Sequence, residues 1–201
     1  MNVDSHFHYF PKDHAEHEKL VEWVDPSSIM LIHGSQIKMP GFIDGMEKFR
    51  GKFQLAIELS VNNQVGKIER TIRELKYQNY EVIISIHTYK SPQHFLQILE
   101  TLVPVFPMVH HLGHPFHKEK TELDPDVIHW FIEFCSNNNL AVELNERYSR
   151  LYNVQLYNRM KEIKHYYATD AHVPKDVCKY RKLTKYSIIS VSYTHLTLPT
   201  N

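Results

Sequence analysis

The sequence predicts an α/β protein, on three observations. Short apolar runs alternate with amphipathic stretches along nearly the whole chain. Several of these runs are almost continuously apolar, the pattern of strands buried on both faces of a parallel sheet. One run after another also closes on a histidine or a carboxylate. About seven strand–helix units are enough to close a (β/α) barrel, and an open parallel sheet fits the same alternation.

Residues 2–8 form the first predicted strand, ending in His6-Phe7-His8, and 15–24 an amphipathic helix. Residues 28–33 (SIMLIH) are short and apolar and read as the second strand; 41–50 follow as a helix. The third strand is 54–60 (QLAIELS), and the charged stretch 67–79 is its helix. Residues 81–87 (EVIISIH) give the fourth strand and 91–103 the next helix. Residues 106–113, 140–145 and 165–169 supply three more strands, with helices at 124–136 and 154–163 between them. Neither an internal repeat nor a Pro/Gly-rich linker marks a second domain.

Bulk properties narrow the function classes. A chain of 201 residues, 42% hydrophobic and 23% charged, is an ordinary globular domain with enough apolar residues for a sizeable core. Lys plus Arg equals Asp plus Glu at 23 each, which argues against a general nucleic-acid or membrane surface. No apolar run approaches the roughly 20 residues a membrane helix needs. The first histidine pair lies so close to Met1 that no cleaved signal peptide is expected. Cys135 and Cys178 have no motif spacing and read as reduced thiols of a cytoplasmic protein.

The strand ends carry the chemistry. In a (β/α) barrel, side chains from the carboxyl ends of different strands meet at one mouth. His6 and His8 are two apart on one strand and share a face. His33 closes the second strand, Glu58 lies near the end of the third and His87 closes the fourth. His114 follows the fifth strand, and Asp170 with His172 follows the seventh. A single histidine would mean little; a series at strand ends of one polarity indicates a metallohydrolase. Imidazole mixed with carboxylate suits Zn²⁺, Mn²⁺ or Fe²⁺ better than Mg²⁺ or Ca²⁺. With so many ligands Glu58 is the natural bridge between two cations, which would activate a shared water as the nucleophile. Asp170 or His172 could protonate the leaving group.

These residues carry a family resemblance. Asp4-Ser5-His6-Phe7-His8, His33-Gly34, Ala56-Ile57-Glu58-Leu59, His87, Gly113-His114-Pro115, Glu143-Leu144-Asn145 and Thr169-Asp170-Ala171-His172 occur in the order of the motifs of the polymerase-and-histidinol-phosphatase (PHP) superfamily. The resemblance runs from residue 3 to about residue 180. It implies a distorted (βα)7 TIM-like barrel holding two to three divalent metal ions, with His14 as a further ligand after the first motif. Ile32 stands where the superfamily usually has Asp before the second-motif histidine. In finer detail the chain resembles histidinol-phosphatase, through 170–177 (DAHVPKDV) and 143–150 (ELNERYSR). That resemblance implies an enzyme hydrolysing a small-molecule phosphomonoester in histidine biosynthesis. Glu58, Asp170 and His172 would be catalytic, and Arg150, or less well Arg147, would clamp the phosphate. His17, His110 and His111 are left out of the ligand set.

Two other functions stay open: a PHP-type phosphodiesterase or exonuclease acting on nucleic acid, and a non-catalytic regulatory barrel. Basic residues suited to a nucleic-acid backbone are few, and the near-complete ligand set argues against a decayed site. Residues 191–200 (VSYTHLTLPT) resemble the in-frame translation of a transposon-end sequencing adapter. The expected domain is therefore 1–190, incomplete at its C-terminus, with 191–201 a non-native tail.

Overall fold

The structure is a computed structural model in which residues 3–61, 65–145 and 153–178 are described. Seven strands form one all-parallel sheet in sequence order: β1 (Phe7–His8), β2 (Ile29–His33), β3 (Gln54–Ser60), β4 (Glu81–Ser85), β5 (His111–Gly113), β6 (Ala141–Asn145) and β7 (His165–Ala168). Among the described residues, six helices lie in the connections: α1 (His14–Leu20), α2 (Phe42–Glu47), α3 (Val65–Tyr77), α4 (Pro92–Thr101), α5 (Pro125–Asn137) and α6 (Val154–Met160).

The sheet curls until its first strand meets the segment after its last. Phe7 forms a parallel bridge with Ala171, the His8 amide donates to the Ala171 carbonyl at 2.8 Å, and the Ser5 amide donates to the Tyr167 carbonyl at 3.0 Å. Of the two predicted arrangements, these bonds favour the nearly closed barrel over the open sheet.

Period-two alternation sorts each strand into an outward and an inward set. Phe7, Met30, Ile32, Leu55, Ile57, Val82, Ile84, Val142 and Leu144 belong to the large core shared with the helices. Their neighbours Ile29, Leu31, Ala56 and Ile83 form a separate small cluster inside the barrel, and Ala141, Tyr166 and Ala168 form another. Continuing each inward set toward the carboxyl end of its strand gives His33, Glu58 and Glu143. The apolar residues plug the lower barrel and the polar ones line its mouth.

The helices start where local chemistry supplies their unpaired amides with acceptors. Ser91 accepts from the His94 amide ahead of Pro92, and Asp124 accepts from the Asp126 amide ahead of Pro125. Asn153 accepts from the Leu156 amide at the start of α6. Phe95, Ile98 and Leu99 of α4, and Ile128, Phe131 and Ile132 of α5, are the faces buried against the sheet.

Two predicted strands are corrected. The fifth, expected from residue 106, begins only at His111; Val103–Val105 is a 3₁₀ turn and 106–108 continue as turn. Pro104 and Pro107 each lack the amide a ladder needs, so the apolar run packs without pairing. The first is paired in the ladder only at Phe7–His8, although Asp4 and Ser5 make single backbone bonds to Ile29 and Tyr167.

Candidate metal centre

His6 and His8 flank the outward Phe7, so both rings point into the barrel mouth, and both are fully buried. Their Nε2 atoms lie 3.2 Å apart. His8 Nε2 is 3.0 Å from Asp170 Oδ1 and 3.6 Å from Glu58 Oε2. His6 Nε2 is 3.5 Å from Asp170 Oδ1 and 3.8 Å from Glu58 Oε2. On the other side of His6, Nδ1 lies 2.6 Å from Glu143 Oε2, and Glu143 Oε1 accepts from Asn145 Nδ2 at 2.8 Å. A carboxylate at Nδ1 keeps the proton there and turns the Nε2 lone pair toward the cluster.

Glu58 is the hub. Its Oε1 lies 3.0 Å from His114 Nε2 and 3.2 Å from His87 Nε2, whose rings stack with centroids 4.9 Å apart. Its Oε2 faces His6, His8 and His33, with His33 Nδ1 at 2.8 Å. The two oxygens of one carboxylate thus address two different sets of imidazoles. His172 completes the second set: its ring lies 4.2 Å from that of His8, and its Nδ1 is 2.9 Å from the Asp170 carbonyl.

The charges in this buried space are tightly coupled. Burial pushes the Glu58 carboxyl up, but bonds from His114, His33, His6 and His87 outweigh it and hold the group well below the usual carboxylate range. Burial is likewise overcome at Asp170, which the His8 bond and the charges of His6 and His114 hold below that range. Burial works against the charge on His114, yet Glu58, Glu143 and Asp170 raise it to about 9. His6 is raised well above its ordinary value against the same burial, by Glu143 and Glu58. For His8 burial wins, and its pKa falls to about 3.

The donor set fits a divalent cation cluster. Four overlapping groups could each hold an ion: His8, His33 and His172; His6, His8 and Glu58; His6, His114 and Asp170; and Glu58, His87 and His114. Within each group the ligand atoms lie within 4.8 Å of one another. Glu58 Oε2 is buried among the imidazoles of His6, His8 and His33, a position where a divalent cation could share the oxygen with their nitrogens. His8 Nε2 and His6 Nε2 likewise face acceptors and each other, the arrangement of lone pairs converging on an ion. Residues at the rim are also held in unusual backbone: Asp170 has φ 49° and His114 φ 21°. Left-handed backbone at non-glycine positions is uncommon and tends to cluster where function fixes geometry.

Eight of the nine predicted ligands therefore come together: His6, His8, His33, Glu58, His87, His114, Asp170 and His172. The exception is His14. It opens α1 after a 3₁₀ turn, its Nδ1 lies 3.0 Å from Tyr9 Oη, its Nε2 lies 3.5 Å from Glu18, and its ring packs edge-on to Phe49. It is in none of the four groups. Arg147 and Arg150, the expected phosphate clamps, lie outside the described residues, as does the 191–201 tail. His17, His110 and His111 are also in none of the groups; His17 is buried with Nδ1 and Nε2 facing the Asp13 and His8 carbonyls.

Glu143 and Asn145, matched in the sequence as a motif without an assigned role, alternate with the outward Val142 and Leu144 and line the site. Asp4, the first residue of the first motif, likewise had no assigned role. That buried carboxylate accepts from the amides of His6, Thr169 and Cys178 and from the Thr169 hydroxyl at 2.6 Å. It ties the first strand to the segment carrying Asp170. Even with these donors, burial raises its pKa.

Beside the cluster, at the ends of β2 to β4, lies a cleft of about 600 Å³ bordered by His33, Glu58 and His87 and by Ser35, Ser60 and Lys67. Scans against protein-family models and against curated proteins return no match to this chain. Among the described residues, no helix is long and apolar enough to cross a membrane.

Proposed function

We propose that the protein is a metal-dependent hydrolase of small phosphomonoesters. The observation that carries this reading is the split of Glu58: Oε1 faces His87 and His114, while Oε2 faces His6, His8 and His33. One carboxylate between two imidazole sets is the arrangement that holds two cations side by side, and two adjacent cations suit in-line displacement at phosphorus. Divalent ions such as Zn²⁺, Mn²⁺ or Fe²⁺ held there would supply a nucleophile activated near neutral pH and neutralise phosphoryl charge. The motif order of the PHP superfamily supports the same reaction class.

The chain's own residues have distinct tasks. Glu143 fixes the tautomer of His6, and Asp4 holds the two ends of the barrel together beneath the site. Asp170 places its carboxylate against His8. His172, the most exposed member of the cluster, stands at the rim, where it can hand a proton to a departing alkoxide. The cleft beside His33 and His87 admits the organic part of the ester.

The test is elemental analysis of protein purified without chelator, followed by assay on a phosphomonoester panel. At least two equivalents of transition metal and chelator-sensitive phosphate release are expected. Less than one equivalent after Mn²⁺ or Zn²⁺ is added would sink the reading. So would salt-sensitive cleavage of a single-stranded oligonucleotide without phosphomonoester turnover.

A further inference from the structure

The cleft beside the metal centre has a far end, formed by the first two turns of α3, to which the reaction assigns no role. Lys67, Ile68 and Thr71 of that helix line the same cleft as His33, Glu58 and His87. We infer that the organic part of the substrate carries a carboxylate, and that Lys67 receives it. This deepens the phosphomonoesterase reading and rests on it for the other end of the cleft.

Three observations carry the inference. First, among the described residues Lys67 is the only Lys or Arg lining the cleft, and no described carboxylate forms an ion pair with it; the neighbouring Glu69 is taken by Arg73 at 2.8 Å. Second, Lys67 sits in the first turn of a thirteen-residue helix that has no acidic residue there. A cation at that end opposes the helix dipole, and a choice that breaks a local rule points to a task other than stability. Third, the surroundings suit one small anion. Ser35 and Ser60 offer hydroxyls, Ile68 and Leu59 offer apolar contact, and the volume is that of a small-metabolite pocket. A lone ammonium among hydroxyls balances one negative charge, whereas a second phosphoryl group would call for a guanidinium fork or further cations. The same cation would repel an ammonium, so the inference departs from the amine-bearing histidinol phosphate that the resemblance implies.

The test uses the full chain loaded with Mn²⁺ and calorimetric binding of three phosphonates of similar size: propylphosphonate, 3-phosphonopropionate and 2-aminoethylphosphonate. The carboxylate compound is expected to bind at least about tenfold more tightly than the amine, with propylphosphonate between them. Lys67→Glu should reverse that order, and Lys67→Gln should abolish the difference. Lys67 is exposed, and thermal unfolding of each variant checks that the fold is kept. No preference, a preference for the amine, an order unchanged in Lys67→Glu, or no phosphonate binding at all would each overturn the inference. Turnover of p-nitrophenyl phosphate, measured in parallel, separates the two readings. Turnover without the carboxylate preference sinks this inference alone. The preference without turnover of any phosphomonoester sinks the hydrolase reading and leaves Lys67 as the carboxylate receptor of a binding protein.

Discussion

Glu143 Oε2 lies 2.6 Å from His6 Nδ1, both groups fully buried, and the pair joins β6 to the first strand across the inside of the barrel. The carboxylate decides which nitrogen of His6 faces the cluster and raises the basicity of that ligand. Glu143→Gln keeps the shape and can still accept the His6 Nδ1–H hydrogen bond through its amide oxygen, but it removes the charge. Metal affinity is expected to fall about ten- to a hundredfold, the usual size of such outer-contact changes. Titration of chelated protein with Mn²⁺ by calorimetry measures this, and unchanged affinity would show that His6 orients itself without Glu143.

On the proposed function, Glu58→Gln and Asp170→Asn would act on the cations directly. Each keeps size while removing a charge that faces several imidazoles. Metal stoichiometry in Glu58→Gln is expected to drop to one equivalent or less, because each oxygen of Glu58 faces a different imidazole set. Phosphomonoester turnover in either variant should fall by orders of magnitude. Near-normal turnover at full metal occupancy would refute the assigned roles.

Much of this arrangement was legible in the sequence, and the physical reason is periodicity. Strands that alternate inward and outward residues place His33 and Glu58 on the same face as Leu31 and Ala56, so the positions of these clustered side chains follow from the pattern alone. What the sequence did not carry is pairing over long separations. Glu143 is one acid in an apolar strand, and its partner is 137 residues away. Asp4 looks like the first letter of a motif, yet its contacts are to Thr169 and Cys178. Closure through Phe7 and Ala171 has the same character. His14 shows the opposite failure: its position after the first motif suggested a ligand, but the 3₁₀ turn beginning at Pro11 delivers it to Tyr9 instead.

Gly113 gives a packing test of the centre. A Cβ there would come within 2.5 Å of Ser85 Oγ and 3.2 Å of Ile83 Cγ2, and within 3.5 Å of Glu143 Oε2. The missing side chain lets β5 pass close to β4 and to the Glu143 carboxylate. Gly113→Ala should destabilise the fold by about 1–3 kcal/mol, the cost typical of overpacking. It should also weaken metal binding by displacing Glu143. Thermal unfolding of chelated and loaded protein separates the two effects; an equal loss in both forms would dissociate the glycine from the metal centre.

The coupled histidines set an expected pH response for the chelated protein. His114 is raised from an ordinary 6.5 to about 9, and His6 is raised as well. A group raised on folding contributes fully below its unfolded value and loses that contribution as pH climbs through its folded one. Stability of the metal-free protein should therefore decline between pH 6.5 and about 9. Below 6.5 the sign reverses, because His8 and His117 are both lowered to about 3, chiefly by burial, and must be charged on unfolding. The metal-free protein is thus expected to be most stable near pH 6.5. Metal loading inverts the alkaline limb, since cations displace the protons of His6 and His114 and bind more tightly as pH rises. Melting temperatures at pH 6.5 and 9, with chelator and with Mn²⁺, give the comparison. Opposite slopes are expected, and parallel declines in both conditions would mean that these two imidazoles do not exchange protons for metal.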